Sequence, residues 1–139
     1  MGERIKVAIR VRPFNSREAK ETGGTDPAFQ IRGKDTLVFK SAKESTDPKS
    51  LGYDHVFASD PTGPCYATPK AMFEAIGRPL VENALDAYNG CAFFYGQTGA
   101  GKSHSCLGDP KSEEQKGILP RCCEHLFDML ENEKNKQDQ

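Results

Sequence analysis

The stretch FFYGQTGAGKSHS, residues 93–105, decides how this chain is read. Aromatic residues run into Gly96, Gly99 and Gly101, and the glycines end on Lys102 and Ser103. Gly96-Gln97-Thr98-Gly99-Ala100-Gly101-Lys102-Ser103 fits G-x-x-x-x-G-K-[ST] at every fixed position. The spacing has a chemical reason. Glycines let the backbone curl until successive N–H groups point inward at a phosphate. Lys102 would set its ammonium on β- and γ-phosphate oxygens, and the Ser103 hydroxyl would ligate Mg²⁺. A helix opening at Lys102 would add the positive end of its dipole. From average residue frequencies, such an octapeptide arises by chance in roughly one chain in two hundred of this length.

The motif requires a strand before it and a helix after it. CAFFY (91–95) is a short continuous apolar run and predicts a strand buried on both faces. Residues 102–107 are expected to open a helix, which GDPKSEEQKG (108–117) interrupts. Helical spacing resumes over 118–130 through Ile118, Cys122, Leu126 and Met129, and the polar tail is expected to prolong that helix briefly and fray. Upstream, Thr68-Pro69 reads as an N-cap and first helical residue, followed by Met72, Phe73, Ile76, Leu80, Ala84 and Tyr88 at helical spacing. Gly77 and Pro79 predict a kink or two helical pieces, and Asn89-Gly90 a stop.

In the N-terminal part, RIKVAIRVR (4–12) alternates Ile5, Val7, Ile9 and Val11 with mostly polar neighbours, the period of a half-buried strand that Pro13 ends. Residues 15–28 read as a loop. FQIRG (29–33) and TLVFK (36–40) read as strands of a hairpin turning at Gly33-Lys34-Asp35. A charged loop over 41–50 and a further strand over 51–57 complete the reading.

With 139 residues the chain has room for one domain. Hydrophobic residues make up 36% and mean hydropathy is −0.67, so a polar, loop-rich, soluble domain is expected. Nineteen basic against twenty acidic residues leave a net charge of −1, without the basic footprint of a nucleic-acid binder. No stretch reaches membrane-spanning length, the N-terminus has no secretory apolar core, and Lys6 stands where a myristoylation pattern wants Ser or Thr. The cytosol is the expected compartment. Five cysteines without a CxxC pair suit reduced thiols, and Cys122, Cys123 and His125 lack the second ligand cluster of a zinc site.

IKVAIRVRPFN (5–15), YDHVF (53–57), YNGCAFFYGQTGAGKSHS (88–105) and GILPRCCEHLF (117–127) follow one another in that order. Together they resemble the N-terminal part of a kinesin motor domain, from Ile5 to the final helix. RVRP paired with YGQTGAGKS is specific to that family, and GQTGAGKS with GILPRCCEHLF is most similar to the third kinesin family. The resemblance implies an α/β P-loop NTPase fold with a mixed central sheet flanked by helices. Residues 1–139 would then be the N-terminal, P-loop portion of an incomplete motor domain. It also implies ATP or ADP with Mg²⁺ as ligands, Arg10, Arg12 and Pro13 bordering the adenine, and His104 flanking the base from the other side. Without it, Arg10 and Arg12 would read as a solvated strand face and His104 as a surface residue. Ser105-Cys106-Leu107 departs from the usual Thr-Met pair, and 108–117 corresponds to the family's variable loop beside the nucleotide pocket.

Kinesin motor domains run to roughly twice this length or more. The switch I loop, the DxxG of switch II, the microtubule-facing loops and the neck linker, all expected after the glycine loop, are not matched. A strand that the family inserts between the RVRP and CAFFY strands is also unmatched, which would leave sheet edges unpaired. Phosphoryl transfer needs positioned water and switch groups as well as a cradle. The expectation is therefore the ATP-binding part of a microtubule-based motor, one that holds nucleotide without efficient hydrolysis. No catalytic residue is assigned, and whether the chain is itself an enzyme stays open. Contact with microtubules, and location on them in the cytoplasm, would come through other parts of the motor. The alternative is a truncated, non-catalytic kinesin-like interaction protein. RVRP counts against an unrelated P-loop kinase or GTPase.

Overall fold

The computed structural model describes residues 5–23, 27–40 and 47–137. The chain divides into two compact units, Met1–Ala67 and Thr68–Gln139.

Among the described residues, the five paired strands lie in the first unit. β1 (Ala8–Val11) and β5 (His55–Ala58) pair in parallel, with Ala8 opposite His55 and Val11 opposite Ala58. Between them in sequence, β2 (Phe29–Arg32), β3 (Thr36–Phe39) and β4 (Lys49–Gly52) form an antiparallel meander. The β2–β3 hairpin turns where expected, with Gly33 in the left-handed region at φ +66°. Phe29 and Phe39 are register partners whose rings lie 5.9 Å apart, a cross-strand pair that pins the hairpin. Leu37, Val56 and Ala58 form the small core of this unit.

Three expectations are corrected here. The strand predicted over 4–12 starts only at Ala8, because Asp54 takes both polar groups of Val7. The Val7 N–H donates to Asp54 Oδ2 at 2.8 Å, and the Val7 carbonyl accepts from the Asp54 N–H at 3.0 Å. The same aspartate splits the single strand predicted over 51–57 into β4 and β5, since the chain bends at Tyr53-Asp54. Of the predicted loop at 41–50, residues 41–46 lie outside the described residues, and Lys49 and Ser50 belong to β4.

A further correction is a helix, α1 (Ser16–Thr22), inside the stretch read as loop. Asn15 starts it with a capping box: the Glu18 N–H donates to Asn15 Oδ1 at 2.8 Å, and the Asn15 N–H donates to Glu18 Oε2 at 3.0 Å.

In the second unit, Thr68 and Pro69 act as predicted. The Ala71 N–H donates to Thr68 Oγ1 at 3.1 Å, and Pro69 is the first residue of α2 (Pro69–Met72). The break predicted at Gly77 and Pro79 is a π-helical turn over Phe73–Gly77, after which α3 (Arg78–Leu85) resumes. Gly77 is required there by packing. A Cβ at that position would sit 2.6 Å from the Phe73 ring and 2.9 Å from Cys122 Sγ. α3 ends in a Schellman arrangement: the Tyr88 N–H donates to Asn83 O at 2.9 Å and the Ala87 N–H to Ala84 O at 3.2 Å. Ala87 sits at φ +65°, where glycine is usual.

α4 (Lys102–Cys106) and α5 (Ile118–Gln137) complete the unit. α5 runs past 130 as expected, carrying the polar tail through Gln137. Ile118 is buried with Met72, Phe73 and Val81, and His125 meets the Phe73 ring edge-on at 5.7 Å. The strand expected at 91–95 does not form. Phe93 is 89% and Tyr95 99% exposed, and among the described residues no strand pairs with the segment. A strand buried on both faces requires neighbours that supply its ladder, and apolar character alone cannot replace them. No helix of the described residues is long and apolar enough to cross a membrane.

Candidate phosphate-binding loop

Between the 91–95 segment and α4, the chain curls through Gly96 at φ +151°, Gly99 at φ +81° and Gly101 at φ +93°. A side chain would strain the backbone at each. The Ala100 N–H donates to Gln97 O at 3.1 Å and closes the turn. Lys102 folds back over the loop. Its ammonium donates to Gly96 O at 2.8 Å and Gln97 O at 2.9 Å, so the lysine that begins the helix also clamps the start of the loop.

Gly101 is the N-cap of α4 and supplies no side-chain cap. The first N–H groups of any helix have no carbonyl one turn back to accept them. Ser103 and His104 are exposed on that first turn, and Ser105 ties it down by donating from its N–H (2.9 Å) and its Oγ (3.0 Å) to Gly101 O. The loop therefore combines an ammonium, helix-start N–H donors and a hydroxyl, and no residue of 96–103 carries a carboxylate. That donor set suits an anion. Among the described residues no group of three or more His, Cys, Asp or Glu side chains could hold a metal ion.

The 108–117 interruption is a closed loop. The Gly117 N–H donates to Leu107 O at 2.9 Å and the Asp109 N–H to Gln115 O at 2.9 Å. From α5, the Arg121 guanidinium donates to the carbonyls of Glu113, Glu114 and Lys116, and the Lys116 ammonium pairs with Glu113 and Glu124. Hydrogen bonding to Glu113 and then Glu124 raises the Lys116 pKa. Sequence reading singled out neither Arg121 nor Lys116; the alternating charges of KSEEQKG were the available clue.

Arg10, Arg12 and Pro13 lie at and just beyond the end of β1, in the first unit. Arg10 Nε donates to Ser59 Oγ at 2.8 Å, and partial burial lowers its pKa. Arg12 grips Glu18 through two 2.6 Å hydrogen bonds and donates to the Pro13 carbonyl at 2.9 Å. The Arg12 contact first, then the Asn15 N–H, holds the Glu18 carboxyl down at about 2. The two arginines are thus fixed by partners, not merely a solvated strand face. Gly96 to His104 form one continuous turn and helix start in the second unit.

Two further tetrads occur. Asp60-Pro61-Thr62-Gly63 spells DxxG, but it precedes the glycine loop and closes on itself: Asp60 Oδ1 accepts from Thr62 N–H at 2.9 Å and Thr62 Oγ1 at 2.7 Å. Asn135-Lys136-Gln137-Asp138 spells the NKxD of guanine-reading loops, yet it runs along the polar end of α5 through Gln137, and Asp138 lies outside the described residues.

The profile of the kinesin motor domain matches residues 10–139. Human kinesin-like protein KIF1B is 38% identical over 138 residues, a match covering 98% of this chain and 7% of KIF1B. Kinesin-like protein unc-104 of Caenorhabditis elegans is 36% identical over 136 residues, covering 97% of this chain and 8% of its own. Among solved structures, KIF14 residues 391–755 with ADP in complex with a microtubule superpose with a TM-score of 0.77 at 34% identity, covering 93% of this chain and 34% of that one. A fast kinesin gives a TM-score of 0.72 at 35% identity, with 88% and 32% covered. The chain spans under a tenth of those curated relatives and about a third of those solved chains. A glycine loop of P-loop pattern, a mixture of parallel and antiparallel strand pairs with helices, and a profile match over nearly every residue agree: this chain belongs to the kinesin motor domain family.

Proposed function

We propose that this chain is the nucleotide-binding part of a microtubule-based motor, with the polyphosphate of ATP or ADP seated on Gly96–Ser103. The observation that carries the reading is Lys102, whose ammonium lies at the mouth of a positive-φ glycine loop beside an uncapped helix start. Support comes from the solved KIF14 relatives, which carry ADP or AMP-PNP in complex with a microtubule. The wording of GQTGAGKS and GILPRCCEHLF supports a likeness to the third kinesin family.

Phosphate oxygens would replace the Gly96 and Gln97 carbonyls as partners of Lys102, exchanging two neutral acceptors for a charged one. Gln97, Thr98, Gly99, Ala100 and Gly101 supply the curl, and Lys102 and Ser103 the helix-start N–H donors. The Ser103 hydroxyl would ligate Mg²⁺, which neutralises phosphate charge when bound. His104 would stack on the base.

Hydrolysis also needs a positioned water and switch groups. The 139 residues match neither switch, so the reading is retention of nucleotide without efficient turnover. Microtubule contact, and with it a cytoskeletal location, belongs to parts of the motor that these residues do not span.

Mg-ATP binding and microtubule-stimulated turnover, measured for this chain and for Lys102→Ala, test the proposal. Saturable binding that weakens by about 10- to 100-fold in the variant is expected from loss of one charge-assisted contact, with turnover at background in both. Turnover that vanishes in the variant would overturn the claim that hydrolysis is inefficient. Absence of binding would favour the non-catalytic interaction protein.

A further inference from the structure

α4 cannot hold itself in place. It has five residues and starts on Gly101 without a side-chain cap, and a helix that short does not persist alone in water. None of its residues is buried, and Leu107 directly after it is 51% exposed, so apolar packing gives it little support. What fixes the helix at the end of the glycine loop has to act from its far end.

At that end the contacts are backbone on backbone. The Leu107 N–H donates to Ser103 O at 2.8 Å, and the Gly108 N–H to the same carbonyl at 3.2 Å. The Leu107 carbonyl accepts from the Gly117 N–H at 2.9 Å, one residue before α5 begins. Gly108 and Lys116 face each other as an antiparallel bridge. A Cβ on Gly108 would overlap the Gln115 carbonyl, and one on Gly117 the Cys106 carbonyl, so the two limbs meet with no side chain between them. The end of α4 is thereby joined to the start of α5, whose first residue, Ile118, lies in the core of the unit.

Arg121, three residues into α5, holds the returning limb of this junction, and its side chain is only 11% exposed. Its Nε donates to Lys116 O at 3.1 Å, and its Nη2 to the carbonyls of Glu113 and Glu114. One planar fork serves three carbonyls, a geometry that an ammonium cannot reproduce. The ion pairs of Lys116 with Glu113 and Glu124 lie alongside, but both carboxylates are exposed, and such pairs contribute little.

We infer that Arg121 is a positioning residue for the phosphate loop. By holding the returning limb of 108–117 to α5, it sets where α4 sits, and with it Lys102 and Ser103. The inference rests on the phosphate reading of Gly96–Ser103 and adds how that site is held. Arg121 acts through backbone and does not itself contact nucleotide.

Amide hydrogen exchange without nucleotide and titration with Mg-ADP, both on the full 139-residue chain, test it together. In Arg121→Ala, exchange at Leu107 and Gly117 should quicken at least about tenfold, while 73–77 exchange as in the parent and show the unit folded. Mg-ADP affinity should fall about 3- to 30-fold, the range of couplings carried through packed elements. Gly117→Ala removes no charge and should do the same by displacing the Cys106 carbonyl. Arg121→Lys restores one donor of the fork and should fall between Arg121→Ala and the parent; it decides in place of Arg121→Ala if that variant loses protection over 73–77. Lys116→Gln keeps its carbonyl for Arg121 and should leave both readouts as in the parent. Unaltered exchange at Leu107 and Gly117 overturns the inference. So does quickened exchange with parental Mg-ADP affinity, the result of a purely structural arginine. A parent that binds no Mg-ADP fails the phosphate reading and this inference with it, which the variants alone cannot do.

Discussion

Replacing Gly77 with alanine sets two effects of similar size against each other. Inside a helical segment, alanine is favoured over glycine by about 1 kcal/mol. At this position the added Cβ would lie 2.6 Å from Phe73 Cδ2, 2.9 Å from Cys122 Sγ and 3.2 Å from Ile118 Cγ2. None of these neighbours is a loose end. Phe73 is 6% exposed, with His125 on its edge and Arg78 5.8 Å above its centroid, and Ile118 is 4% exposed. Overpacking of this kind costs about 1–3 kcal/mol. The contacts are closest on the ring, which has least room, so the upper half of that range applies. Gly77→Ala is therefore expected to destabilise by about 1–2 kcal/mol net of propensity. Urea unfolding followed by helical circular dichroism measures it, since the chain has no tryptophan. Combining it with Cys122→Ala removes the sulfur clash, and the pair should couple by at least about 0.5 kcal/mol. A Gly77→Ala protein as stable as the parent, or more stable, would refute the claim that the π-turn is packed to contact.

Two further tests are local. Ala87 occupies the left-handed cap of α3 at φ +65°, so Ala87→Gly should stabilise the second unit by about 1 kcal/mol, read in the same urea assay; a loss would contradict the cap geometry. Glu18 should titrate at about 2 because Arg12 and the Asn15 N–H favour its charged form. Its folded pKa lies below the ordinary carboxylate value, so its contribution is fully present above about pH 4.3 and is lost as pH falls through about 2. An NMR titration of the Glu18 carboxyl checks this. Arg12→Gln should move the midpoint back up toward the ordinary range, and a wild-type midpoint already there would contradict the pairing.

Features set by a few adjacent residues were legible. Thr68-Pro69 became the start of α2, Gly33 the hairpin turn, Gly77 with Pro79 the break between helices, and Gly96–Ser103 a curled loop opening a helix. α1 was equally local but passed unread, because SREAKET has almost no apolar periodicity and its evidence was the Asn15…Glu18 capping box. Long-range pairing was not legible. Asp54, forty-seven residues from Val7 in sequence, sets both the start of β1 and the break between β4 and β5. CAFFY has the composition of a strand, yet a strand exists only where another backbone completes its ladder. The glycine motif likewise announced a phosphate chemistry, while the clamp of Lys102 on the Gly96 and Gln97 carbonyls and the grip of Arg12 on Glu18 required coordinates.

On the proposed function, Gly96–Ser103 holds a nucleotide's phosphates. Amide chemical-shift mapping of this chain during addition of Mg-ADP tests it residue by residue. Saturable shifts are expected to be largest at Gly99, Gly101, Lys102 and Ser103, with Lys102→Ala needing about 10- to 100-fold more nucleotide to reach them. Shifts concentrated elsewhere in the chain, or the same titration curve with and without the lysine, would contradict it.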